Sequence, residues 1–169
     1  MTKESDRIVV IGAGPVGLVL SLALAQADLK VCLVEALGDD NFLEQVPRAG
    51  TNHPATLEML DRVGLYQKLE PRGIIAPVFH YWDRQEGLIA AFDHGHLKDD
   101  TRFPYVLQCE RIKIVEEALV MAKAHPNIDL RLSTEFVSFK QDADGVTAHV
   151  VNAAGERETI DGRYIVTPP

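Results

Sequence analysis

The stretch "VVIGAGPVGLVLSLALAQADLKVCLVE", from Val9 to Glu35, constrains this chain more than any other. A β-branched run over residues 7–11 predicts a buried strand. Gly12, Gly14 and Gly17 follow at once. An Ala- and Leu-rich segment over residues 15–27 predicts a helix, with Pro15 in the first turn, where its missing N–H costs nothing. Residues 30–34 predict a second buried strand, and Glu35 stands at its end. A strand–helix–strand unit this short pairs its two strands in parallel through a right-handed crossover.

The spacing carries a chemistry. Gly12 sits where the first strand turns sharply into the helix. Gly14 leaves the backbone bare for the close approach of a pyrophosphate, and Gly17 lets the helix pack near the strands. Backbone N–H groups at the helix start, around Pro15 and Val16, and the positive end of the helix dipole then face the phosphates. Glu35 is placed to accept hydrogen bonds from both hydroxyls of an adenosine ribose. An acid at that point argues against a 2′-phosphate, so the dinucleotide is NAD or FAD, not NADP. The competing reading is a glycine turn needed for packing alone.

The rest of the chain extends the pattern. Residues 36–48 read as a loop. Residues 53–69 predict one helix with a stripe of Leu57, Leu60, Val63 and Leu65, capped by Asn52 or Thr51. Residues 78–82 and 88–92 predict a hairpin around "DRQEG", and residues 105–107 a short extended piece. Residues 111–124 predict an amphipathic helix with Ile112, Val115, Leu119 and Ala122 on one side. A third buried strand is expected at residues 128–132. Three alternating segments at 136–140, 146–151 and 157–160 predict an antiparallel meander, and residues 164–167 a fourth parallel strand. The expected fold class is α/β, a Rossmann-type parallel sheet with helices and an inserted antiparallel β-meander. The gap between the second and third parallel strands, about 90 residues, is too long for an idle loop. Flavin contact is a reasonable task for it.

Composition removes several classes. With a net charge of −8 and scattered Lys and Arg, the chain lacks the basic face that nucleic acid or an anionic membrane requires. No apolar stretch reaches the length of a membrane helix. Two unpatterned cysteines, Cys32 and Cys109, predict buried, reduced thiols in a cytoplasmic protein. Asp93, His94 and His96 could touch a metal, but no third ligand has convincing spacing, so a solvated loop and no metal are expected. His53, just before Pro54, is expected to begin a helix, and His80, Tyr81 and Trp82 to pack on the hairpin.

Four segments also resemble a known family. "GAGPVGLVLSLALAQADLKVCLVE", "PRAGTNHPATLEMLDRVGL", "FPYVLQCERIKIVEEAL" and "DGVTAHV…GRYIV" follow one another as in class A FAD-dependent aromatic hydroxylases. These flavoprotein monooxygenases include the para-hydroxybenzoate and hydroxyphenylpropionate hydroxylases. The resemblance implies that Gly12, Gly14, Pro15, Val16 and Gly17 carry the FAD pyrophosphate and that Glu35 and Ala36 lie at the adenosine ribose. It implies that Arg48 lies near the diphosphate and ribityl chain, and that Gln108, at the start of a helix, touches the flavin. Arg111 is carried only as a further contact. The implied parent reaction uses NAD(P)H as electron donor, O2 and an aromatic small molecule. Its catalytic residues are not legible here.

The family's Asp-Gly motif after "GRYIV" is absent, with "TPP" in its place. The expectation is therefore a 1–169 FAD-binding domain truncated before that motif and before the substrate domain, inactive in hydroxylation by itself. Such a piece is expected to expose apolar surface and to self-associate. Two alternatives stay open: an NAD-dependent dehydrogenase or flavin reductase unit, and a non-catalytic dinucleotide-binding fragment.

Overall fold

Alternation of short apolar runs with helices produces twelve strands, four α-helices and two short 3-10 turns among the described residues. A computed structural model of the chain describes residues 6–39 and 50–167. The elements run β1 (Ile8–Ile11), α1 (Pro15–Gln26), β2 (Val31–Val34), β3 (Thr51–Asn52), α2 (Pro54–Arg62) and α3 (Tyr66–Leu69). Then come β4 (Ile74–Ala76), β5 (Val78–Asp83), β6 (Gly87–Asp93), β7 (Val106–Gln108) and α4 (Arg111–Ala124). The chain closes with β8 (Ile128–Arg131), β9 (Glu135–Gln141), β10 (Val146–Val151), β11 (Arg157–Gly162) and β12 (Tyr164–Val166). Two units share these elements: Met1–Val46 with Val115–Pro169, and Pro47–Ile114.

The first unit is built on a parallel sheet of order β12-β1-β2-β8. Val9 lies between Cys32 and Ile165, and Leu33 pairs with Leu130. All four residues of β2 are buried, as expected for a strand covered on both faces. The meander, of order β11-β10-β9, supplies one cover. On β10, Val146, Ala148 and Val150 are buried while Thr147, His149 and Val151 are partly exposed, the two-residue period of a half-buried strand. Ala148, Val150 and Ile160 join Val9, Cys32 and Val34 in one core cluster, with Ile11, Phe136 and Ile165 packed against it. Helix α1 buries Leu18, Leu22 and Ala25. Burying each such leucine contributes about 1.5–3 kcal/mol before entropy is counted.

The second unit holds a sheet of order β3-β7-β4 and the separate hairpin β5-β6. Leu57, Leu60, Val63, Leu65, Tyr66, Leu69, Phe103 and Leu107 are among its buried residues. The apolar stripe is therefore as expected, but the single helix is not. Gly64, at φ +78, ends α2 before α3 begins. Its N–H donates to Asp61 O at 3.0 Å, and Leu65 N–H donates to Leu60 O at 2.8 Å. That pair of bonds is a Schellman closure, which needs a residue tolerating the left-handed region. Asn52 and Thr51 do not cap α2 either: both lie in β3, and His53 holds the N-cap position with no side-chain bond.

On the hairpin, Tyr81 and Trp82 are 57% and 66% exposed and His80 is exposed too, yet their rings pack along its surface: Tyr81 lies edge-on to Phe92 at 5.6 Å and His80 to Trp82 at 6.4 Å. The strands form as expected, with Phe79 stacked on Phe92 at 4.9 Å between ring centres. Among the described residues no helix is long and apolar enough to cross a membrane.

Candidate functional site

Each of the three glycines at the exit of β1 answers a different constraint. Gly12 adopts φ +89, a left-handed turn that a Cβ would strain, while its N–H donates to Val34 O at 2.7 Å. A Cβ on Gly17 would lie 1.9 Å from the carbonyl oxygen of Gly12. The close approach at Gly17 is thus to the turn itself, with the Val10 side chain next at 3.6 Å. Gly14 is different. It has φ −66 and ψ 179, ordinary extended backbone, and a Cβ there would meet nothing within 4 Å among the described residues. Neither conformation nor packing among those residues requires glycine at that position.

Helix α1 starts directly after this turn, with Gly14 at the N-cap and Pro15 behind it. Gly14 has no side chain with which to cap the helix, and the first turn contains no acid. The first N–H groups of a helix lack intrahelical partners, so this terminus presents donors and partial positive charge. Val16, in that first turn, is 81% exposed.

Glu35 follows β2 and faces the same turn. Its Oε2 accepts from Ala13 N–H at 2.7 Å and its Oε1 from Leu37 N–H at 2.9 Å. The carboxylate therefore ties the glycine turn to the segment leaving β2. Each oxygen keeps a further lone pair for another donor. Ala36 is exposed beside it. The structure thus gathers Gly12, Gly14, Pro15, Val16, Gly17, Glu35 and Ala36 at one end of the parallel sheet. The Ala13 N–H was not foreseen from sequence, because a backbone donor leaves no mark there.

The remaining candidates divide differently. Arg48 lies outside the described residues. Gln108 lies in the second unit, on the last residue of β7; it does not start a helix, since α4 begins at Arg111. Its exposed side chain has a partner that sequence reasoning missed: Thr51 Oγ1 donates to Gln108 Oε1 at 3.0 Å. A two-residue strand such as β3 carries too little pattern to reveal that pairing. Arg111 is exposed at the first position of α4.

The histidine loop has structural tasks. Asp93 Oδ1 accepts from Gly95 N–H at 2.7 Å, and His94 N–H donates to Pro77 O at 2.9 Å, closing the base of the hairpin. Among the described residues no three His, Cys, Asp or Glu side chains gather as metal ligands would. Both cysteines are free and buried. Burial, with Asp129 beside it, pushes the Cys32 thiol up to about 12. Burial also raises the Cys109 thiol.

A bare-backbone turn between a parallel strand and a helix, with an acid at the tip of the next strand, defines a dinucleotide-binding α/β unit. The chain belongs to the FAD binding domain family, whose pattern it matches over residues 6–167. It is 33% identical over 150 residues to para-nitrophenol 4-monooxygenase of Pseudomonas sp. (strain WBC-3), covering 89% of this chain and 36% of that protein. It is 28% identical to the 3-(3-hydroxy-phenyl)propionate/3-hydroxycinnamic acid hydroxylase of Shigella sonnei (strain Ss046), covering 97% of this chain and 29% of the relative. The crystal structure of p-nitrophenol 4-monooxygenase PnpA from Pseudomonas putida DLL-E4 superposes with a TM-score of 0.86 at 29% identity, covering 96% of this chain and 40% of that one. The chain therefore spans about a third of the length of the curated relatives it matches.

Proposed function

We propose that this chain is the FAD-binding portion of an NAD(P)H-dependent monooxygenase that hydroxylates phenolic or other aromatic compounds. The observation that carries the reading is Gly14. Its backbone is unstrained and no atom among the described residues comes within 4 Å of where its Cβ would be, so the space beside it is open to a ligand. A diphosphate lying against that backbone fits that space. The donor set fits the group: uncapped helix N–H groups for the phosphates and a carboxylate at the turn for the ribose.

In this reading Gly12, Gly14, Pro15, Val16 and Gly17 hold the diphosphate through their backbone. Glu35 and Ala36 meet the adenosine ribose, Arg48 the diphosphate and ribityl chain, and Gln108 the flavin. FAD, when bound, supplies the redox chemistry that joins a nicotinamide donor, O2 and an aromatic substrate. The protein's part at this site is to bind and orient it. The family match and the relatives' names favour this reading over an NAD-dependent dehydrogenase unit.

Titration of the purified chain with FAD, followed by quenching of flavin fluorescence and by the flavin band near about 450 nm, tests it. Saturable FAD binding that excess NAD does not displace is the expected result. Binding of NAD with no uptake of FAD would overturn the proposal in favour of the dehydrogenase reading.

A further inference from the structure

We infer that Ser133 is a positioning residue for Glu35: its left-handed backbone turns two successive N–H groups onto the segment leaving β2 and so fixes how the carboxylate meets a nucleotide ribose. The inference rests on the reading of Glu35 as the ribose contact, and every residue it uses lies in the first unit. Among the described residues two non-glycines have positive φ, Asp28 at +61 and Ser133 at +50. Asp28 follows the C-cap of α1, its N–H donating to Ala25 O at 3.1 Å, and a left-handed residue is common at such a helix end. Ser133 ends no helix; it lies between β8 and β9. Left-handed backbone costs energy for serine and persists only where the surroundings enforce it.

The hydrogen bonds show what enforces it. β2 and β8 pair in parallel as far as Val34 and Arg131, and Glu35 N–H then donates to Arg131 O at 2.9 Å. In a regular parallel ladder the N–H of residue 133 would return to Glu35 O. Instead Thr134 N–H makes that bond, at 2.9 Å, and Ser133 N–H donates to Leu37 O at 3.0 Å. Ser133 is thus an extra residue in the ladder, a bulge, the device that re-aims a side chain where pairing ends. Buried Thr134 secures the kink, its Oγ1 donating to Leu132 O across Ser133 at 3.0 Å. With the carbonyls of Glu35 and Leu37 both held, the peptide carrying Leu37 N–H lies between two fixed points. That N–H donates to Glu35 Oε1 at 2.9 Å, while Oε2 accepts from Ala13 N–H at 2.7 Å. Two fixed donors set the carboxylate's orientation before any ligand arrives, and its remaining lone pairs suit a ribose diol.

The experiment measures by calorimetry the affinity of the whole 169-residue chain for ADP and for 2′,3′-dideoxy-ADP, which lacks the ribose hydroxyls. The parent chain is expected to prefer ADP about tenfold, the worth of hydroxyls bonded to a charged acceptor. Glu35→Ala is expected to abolish the preference. Ser133→Val, whose β-branched side chain resists left-handed backbone, is expected to cut the preference to about threefold or less and to leave dideoxy-ADP affinity unchanged. Ser133→Gly and Ser133→Asn, which accept that backbone, are expected to keep the parental preference. Thr134→Val, which removes the bond to Leu132 O, gives the same comparison if Ser133→Val does not fold. Unchanged binding by Ser133→Val, or an equal loss of both nucleotides, would overturn the inference and leave the Glu35 contact standing. Loss of the preference in Ser133→Gly would overturn it as well. A Glu35→Ala chain that still prefers ADP would remove the Glu35 contact and the inference together.

Discussion

Alanine at Gly14 and alanine at Gly17 separate ligand binding from folding. At Gly17 the added methyl would start 1.9 Å from the Gly12 carbonyl oxygen, a backbone atom held by a turn at φ +89. Something must move, and overpacking of this kind costs about 1–3 kcal/mol, against a helix-propensity gain near 1 kcal/mol. At Gly14 the methyl meets nothing within 4 Å among the described residues and the backbone is already extended. Two small effects remain there. Loss of chain entropy in the unfolded state favours alanine by about 0.4–1 kcal/mol. The N-cap position disfavours it by a similar amount, on the order of 0.5–1 kcal/mol. These cancel, so Gly14→Ala should unfold within about 2 °C of the parent chain, while Gly17→Ala should unfold several degrees lower. FAD affinity should reverse the ranking of harm. The Gly14 methyl occupies the diphosphate's path, and losing one or two charge-assisted bonds of about 1.5–3 kcal/mol each weakens binding by at least about tenfold. Thermal unfolding of the ligand-free variants and flavin-fluorescence titration read the two quantities. Parental FAD affinity in Gly14→Ala would refute the reasoning, as would a loss of stability equal to that of Gly17→Ala.

Two further outcomes follow from the same structure. Glu35→Ala removes the acceptor of Ala13 and Leu37 N–H groups, so it should lower the stability of the ligand-free chain by about 1–3 kcal/mol and weaken FAD binding by a similar amount; denaturant unfolding and titration with both FAD and NAD check it, and unchanged affinity for both would leave the turn a packing device. Burial raises the Cys32 thiol from 9.0 to about 12, so the folded chain keeps a proton that the unfolded chain releases. The stability this contributes is whole below pH 9 and is lost as pH rises from 9 toward 12. Alkylation of Cys32 by iodoacetamide at pH 9 should therefore proceed only as fast as the chain opens, and rapid labelling of the native protein would contradict the burial argument.

The amino-acid sequence determined the local elements whose signals are local. Val9 to Glu35 specifies strand, turn, helix and strand because apolar run, glycine spacing and Pro15 all act within a few residues of one another. The limits of α4 and the alternation on β10 follow for the same reason. Gly64 also carried its signal in sequence, a glycine inside the apolar stripe between Val63 and Leu65, and its left-handed closure is what divides the expected single helix into α2 and α3. Three matters belonged to tertiary structure alone. Gly14 and Gly17 look alike in sequence, and only the packing around each shows that one is demanded by the Gly12 carbonyl while the other meets no neighbour among the described residues. The Glu35 carboxylate is committed to a backbone N–H 22 positions earlier in the chain, a donor every non-proline residue possesses. Thr51 meets Gln108 across 57 positions through a strand of two residues, where no periodicity can form. Contacts between distant residues depend on where the whole backbone returns, and sequence pattern records only what neighbours along the chain require.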